Sequence, residues 1–222
     1  MVLGILSAVL LVMLLLKFLT RKLGWTKLDR AMKIIHKPIG ILIPIAAVFH
    51  LFFTYPVWDT REAAVVVTGI ALSVMLLMML VGYLSRRKLG KVWIKMHRYG
   101  AVIALALLLC HIVTYNIDFM NYQKSISTIR LQGMDASKLR DGSYEGEYDA
   151  GYIYAKVRVA VEDGKITDIT ILKHENERGK PAEAILQEII ARQTTDVDAV
   201  SGATNSSKVL KKAVEQALYN KK

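Results

Sequence analysis

Four of the five histidines, His36, His50, His97 and His111, fall in or beside long apolar runs. An ionisable group inside lipid is costly, and its presence there is a functional hypothesis by default. The spacing sharpens it. His36 and His50 are fourteen residues apart, as are His97 and His111. At about 100° per residue, fourteen steps fall roughly 40° short of four helical turns, so each pair lies on nearly one face, with its members about 21 Å apart in height. If the two carrying helices run parallel, His36 shares a level with His97, and His50 with His111. Two facing imidazoles at one depth make the axial ligand set of a b-type haem, and ligation keeps both rings neutral. Polar helix–helix contacts would produce the same pattern. A proton relay or another metal site is a further reading, although no carboxylate accompanies the histidines within the apolar runs.

Four apolar stretches, roughly 2–19, 38–54, 63–84 and 99–116, approach the ~20 residues a membrane helix requires. The second is short and contains Pro38 and Pro44, which lipid tolerates where neighbours compensate. The first has neither a basic start nor a small-residue cleavage site, and is expected to be a retained anchor. Helices two and four are separated by one span and therefore run parallel. Lys17, Arg21, Lys22, Lys27, Arg30, Lys33 and Lys37 flank one pair of spans, and Arg86, Arg87, Lys88, Lys91, Lys95 and Arg98 the other, while 55–62 offers only Arg61 against Asp59 and Glu62. The excess of basic residues places both basic loops in the cytoplasm and everything after residue 116 outside. The formal charge of +11 belongs to the first half, which has fourteen Lys/Arg against Asp29, Asp59 and Glu62, whereas 117–222 balances sixteen against sixteen. That distribution argues against a nucleic-acid surface. The single cysteine, Cys110, permits no intramolecular disulfide and no cysteine-ligated cluster.

Over roughly 35–116, His36…His50 and the segment His97-Arg98-Tyr99-Gly100 leading to His111 resemble the transmembrane module of ferric reductases and NADPH oxidases. The resemblance implies two b-type haems: an inner iron held by His36 and His97, and an outer one held by His50 and His111.

The second half has a different pattern. A polar connector over 117–138 shows no strong periodicity, though 119–134 could form a short helix leaving the membrane. Asp141 to Gly146 reads as turn-rich. Val157, Val159 and Val161 alternate with polar residues, Asp163-Gly164 makes a tight turn, and Ile166, Ile169 and Ile171 follow, giving a hairpin. Pro181–Arg192 and Ser206–Leu218 have helical spacing, the latter with Val209, Leu210, Ala213, Val214 and Ala217 inward. His174 is expected on the surface. Between the two helices, Asp198-Ala199-Val200-Ser201-Gly202-Ala203-Thr204-Asn205-Ser206-Ser207 is a small, hydroxyl-rich loop feeding a helix amino terminus, an arrangement that favours a phosphate. A capping loop that binds nothing would have the same composition.

Residues 141–218 resemble the FMN-binding domain family of the flavin subunits of sodium-pumping and Rnf-type complexes. The features that match are Asp141 to Gly146, Asp163-Gly164-Lys165-Ile166, Gln193 and Asp198 through Ser207. The family's usual Glu-Thr is here Glu177-Arg178, and a usual glycine is Tyr154. The resemblance implies that Thr204 carries FMN through a phosphoester. It makes Asp198, Ser201, Gly202 and Ala203 the sequence read by an extracytoplasmic flavin transferase, and sets Ser206 and Ser207 against the phosphate. Flavinylation of this kind occurs outside the cytoplasmic membrane, the side on which the basic-residue count puts Thr204.

The expected architecture is a membrane all-α four-helix bundle over 1–116, a connector over 117–140 and a small extracytoplasmic α+β FMN-binding domain over 141–222. The chain is expected to be a multi-pass protein of a bacterial cytoplasmic membrane. As an oxidoreductase or electron-transfer subunit, it would pass electrons from a donor protein or quinone through two haems to FMN and on to an outside acceptor. Alternatives are a carrier subunit of a larger ion-pumping or quinone-linked complex, inward electron flow, or helices that only anchor a flavoprotein.

Overall fold

The computed structural model describes residues 2–134, 136, 139–176 and 178–219, in two compact units, Met1–Asp118 and Phe119–Lys222. Helices α1 (Val2–Lys22), α2 (Thr26–Thr54), α3 (Ala63–Leu84) and α5 (Lys91–Thr128) are long and apolar enough to cross a membrane, and the single turn α4 (Arg86–Leu89) precedes the last of them. Leu11, Leu14, Ile43, Ala47, Leu72, Leu76, Ala104 and Leu108, two from each long helix, form the shared core of the first unit. Many other apolar side chains, Phe52, Phe53, Val67 and Val102 among them, face outward. In water that surface would be a liability; lipid is the medium that covers it.

The basic segment 17–37 is not a loop. Only Leu23–Trp25 interrupt the helices, and Lys27, Arg30, Lys33 and Lys37 ride on the first turns of α2. Their long stems let the charged heads reach water from a helical backbone. Asp29 ties the joint, accepting from Lys17 Nζ at 3.3 Å and Lys33 Nζ at 3.0 Å. Both Pro38 and Pro44 lie inside α2 without ending it. Beyond residue 116 the possible helix over 119–134 is found in part, as a continuation of α5 to Thr128 and not as a separate short helix, and it supplies Tyr122 and Ile126 to the core of the second unit.

The second unit is built on an antiparallel meander of β1 (Gly142–Asp149), β2 (Tyr154–Glu162) and β3 (Lys165–Glu175), in the order β1-β2-β3. The expected hairpin is β2–β3. Asp163 and Gly164 both have positive φ, the two-residue turn whose twist suits paired strands. Ala155, Val157, Val159 and Val161 point into the core with no exposed surface, as alternation requires. The Asp141–Gly146 stretch was expected to be turn-rich, but from Gly142 onward it is strand, paired with Val161 back to Val157. Its glycines conceal the alternation, and Gly146 has a separate reason to be there. A Cβ at Gly146 would overlap the backbone of Ala213 and Ala217 in α7 (Thr204–Tyr219), so helix and strand meet backbone to backbone.

Pro181–Arg192 divides into a 3-10 turn, Lys180–Ala184, and α6 (Ile185–Arg192). On α7, the five residues expected to face inward are all buried. Glu215 is buried beside them. Its carboxylate accepts the N–H groups of Gln132 and Gly133 at 3.0 Å, the Thr195 hydroxyl at 3.0 Å and Lys212 Nζ at 3.2 Å. A buried charge is tolerated only with such a set of donors. Two of the motif features are staples of this framework. Asp141 Oδ1 accepts from Asp163 N at the hairpin turn, and the Gln193 amide spans both backbone groups of Ile166 at 2.8 Å.

Gly146→Ala is expected to destabilise the second unit by about 3 kcal/mol, the upper part of the overpacking range. Hydrogen exchange of the β2 amides in the full-length protein should quicken roughly 100-fold; unchanged rates would mean that α7 can retreat freely.

Candidate functional sites

Within the first unit the four histidines are half-buried. His36 on α2 and His97 on α5 meet edge to face, with ring centroids 5.9 Å apart and planes at 83°. The Nδ1 atoms of both are buried without a hydrogen-bond partner among the described residues. Trp93, one turn before His97, packs on its ring at 5.1 Å and fills the space left by the missing side chain of Gly82 on α3. At the other level, His50 lies against Gly4 of α1 and His111 against Gly69 of α3, where a Cβ would come within 2.9 Å and 3.1 Å of the respective rings. His111 Nδ1 is 3.1 Å from the Thr68 hydroxyl.

Among the described residues no group of three or more His, Cys, Asp or Glu comes together as a metal cluster. A haem takes only two protein ligands, so the relevant test is the pairs. The inner pair, on α2 and α5 with 5.9 Å between ring centroids and both Nδ1 atoms without a partner among the described residues, is compatible with two axial ligands. His50 and His111 lie on the same two helices, each against a glycine of another helix.

In the second unit, Asp198, Ser201 and Gly202 are exposed, Ala203 is buried, and Thr204 is exposed as the first residue of α7. The loop is locked from within. Ala203 N donates to Val200 O at 2.9 Å, while the Ser207 hydroxyl accepts from Val200 N at 3.1 Å and donates to Ala203 O at 3.0 Å. Gly202, at φ +77°, makes the bend that a side chain would resist. Ser207, expected against a phosphate, thus commits its proton to the loop. Ser206 is buried beneath Gly179, where a Cβ would overlap its hydroxyl. The Asn205 amide donates to the Tyr122 hydroxyl at 2.8 Å, and Tyr122 stacks on Tyr152 at 4.4 Å. These contacts leave Thr204 exposed at the first turn of α7, whose leading amides have no helical acceptor. An exposed hydroxyl, a glycine bend and a free helix amino terminus together fit a phosphate-linked flavin.

Residues 151–219 match the model of the FMN-binding domain family. They contain β2, β3, α6, the loop and α7, so the match falls within the second unit. An uncharacterized protein of Treponema pallidum (strain Nichols) is 31% identical over 85 residues, which is 37% of this chain. The matched part spans 24% of the length of that protein, about a quarter.

His174 is not on the surface. Its side chain is 2% exposed, with Nδ1 2.9 Å from Glu183 Oε1 in the 3-10 turn that folds over the end of β3. Nothing local in the sequence announces that partner, nine residues on. Glu177 lies outside the described residues. Tyr154 opens β2 with its hydroxyl donating to Glu147 Oε2 at 2.7 Å. Ionisation would break that bond and set two anions side by side, so the phenol is pushed up to about 12. In a spectrophotometric titration one tyrosine should therefore ionise near that value, and Glu147→Gln should bring it back toward the ordinary value. A titration that is the same in the variant would disprove the pairing.

Proposed function

We propose that this chain is a membrane electron-transfer flavoprotein. It would carry electrons between the two faces of a bacterial cytoplasmic membrane through two bis-histidine haems and an FMN fixed to Thr204. The carrying observation is the presentation of the Thr204 hydroxyl at the first turn of α7, inside the matched FMN-binding domain and in the same chain as four apolar helices with paired histidines. When bound, haem iron exchanges single electrons and flavin exchanges them singly or in pairs, which suits a conduit between one- and two-electron partners.

The chain's own residues position these groups. His36 and His97 would hold the inner iron, His50 and His111 the outer. Gly4 and Gly69 let the outer imidazoles lie against α1 and α3. Asp198, Ser201, Gly202 and Ala203 form the exposed approach to Thr204 that an extracytoplasmic flavin transferase would read. The basic flanks of the helices support an orientation with the FMN-binding domain outside. The electron donor and acceptor would be a quinone or partner proteins at the two faces.

Two variants test the two cofactors separately. With the flavin transferase co-expressed, Thr204→Ala is expected to lose in-gel flavin fluorescence under denaturing conditions while keeping its haem. Retained fluorescence would remove Thr204 as the attachment point. His50→Leu should halve the haem per chain and leave fluorescence intact, and a variant that keeps both haems would refute the outer ligand assignment.

A further inference from the structure

Thr68 has a role that the pattern of histidines does not suggest. It lies in the second turn of α3, and its Oγ1 is 2.7 Å from Ala64 O and 3.1 Å from Val65 O. Both are carbonyl oxygens and can take the Thr68 proton, as threonine in a helix commonly arranges. With the proton given to its own helix, the oxygen is left to accept. At 3.1 Å it faces His111 Nδ1, and at 3.2 Å it faces Thr114 Oγ1. A ring nitrogen beside an oxygen that accepts carries the hydrogen itself. In that arrangement His111 is the Nδ1–H form, with the lone pair on Nε2.

We infer that Thr68 is a positioning residue that fixes the tautomer and tilt of His111, so that Nε2 is presented as the outer iron ligand, with Gly69 providing the flat seat for the ring. This inference rests on the haem reading given above. The seat has two parts, both from α3. The hydroxyl of Thr68 holds one edge of the imidazole. The missing side chain at Gly69 lets the ring approach, since a Cβ there would come within 3.1 Å of Cε1 and 3.5 Å of Nδ1. The inner level is built differently, because His36 and His97 have no partner for Nδ1 among the described residues. A hydrogen bond to the far nitrogen strengthens a ligating imidazole as a donor and anchors it. The two haems should therefore differ, with the outer one depending on Thr68.

The test uses full-length protein in detergent, with haem content and stepwise reduction followed optically. Thr68→Val removes the hydroxyl and keeps the shape; Thr68→Ser keeps the hydroxyl. In Thr68→Val, outer-haem affinity should fall about 10–100-fold, the usual effect of losing such a partner. Dilution should then strip one haem of two, and the outer midpoint should rise while the inner stays. Thr68→Ser should behave as the parent protein. If Thr68→Val keeps two haems with both midpoints unmoved, the inference fails and the haem reading stands. If the parent protein has no Soret band, the haem reading fails and takes the inference with it. Nitrogen-15 spectra of labelled histidine in parent protein prepared without haem give a readout that does not depend on any variant folding. The Nδ1–H form of His111 is expected, and the Nε2–H form would overturn the inference.

Discussion

The second unit depends on one approach, that of the α7 backbone to β1 at Gly146. Side chains normally hold a helix away from a sheet; here the strand gives up its side chain and the helix moves in. Everything at the candidate flavin site is referenced to that helix. Thr204 is its first residue, Ser207 closes the loop in front of it, and Glu215 gathers the residues that follow α5. Burying a carboxylate that deep would destabilise the unit unless each oxygen had donors, and two backbone amides, a hydroxyl and an ammonium provide them. Lys211, buried in the same helix, donates to Val197 O at 2.8 Å and holds the other end of the loop. The exposed Thr204 is thus carried on a rigid element, which suits a functional site.

The first unit solves a different problem, that of polar groups in an apolar medium. Thr20, Ser73 and Thr54 bond back to carbonyls of their own helices, which satisfies them without help from neighbours. The histidines cannot do this, because a ring nitrogen reaches no carbonyl of its own turn. They turn instead toward other helices, where glycines make room for them. Trp93 in the space over Gly82, His111 over Gly69 and Met75 over Gly100 show the same device along the α3–α5 seam. Small residues at helix contacts are the general means of close packing in lipid.

Much of this was legible in the chain itself. Four spans, the β2–β3 hairpin and the inward face of α7 follow from apolar periodicity and turn chemistry, which are local properties. What escaped was non-local. β1 was disguised by glycines that serve a helix about seventy residues away. The buried state of His174 depends on Glu183, and that of Glu215 on Gln132 and Gly133, none of them marked by spacing. The basic run from Lys27 to Lys37 has the composition of a loop, yet long basic side chains are compatible with helix at a membrane boundary. Asp141 and Gln193 were recognised as motif residues, but only the structure shows that they hold strands and turns together.

The ring contact between His36 and His97 joins the second long helix to the last, across sixty-one residues of chain. A ribosome adding about 5–20 residues per second therefore leaves the earlier imidazole waiting roughly 3–12 seconds for its counterpart. No cofactor site at that level can exist on a nascent chain until α5 has emerged. On the proposed haem reading, loading would be a late event in biogenesis, and a translation product truncated before α5 would carry His36 and His50 without their counterparts.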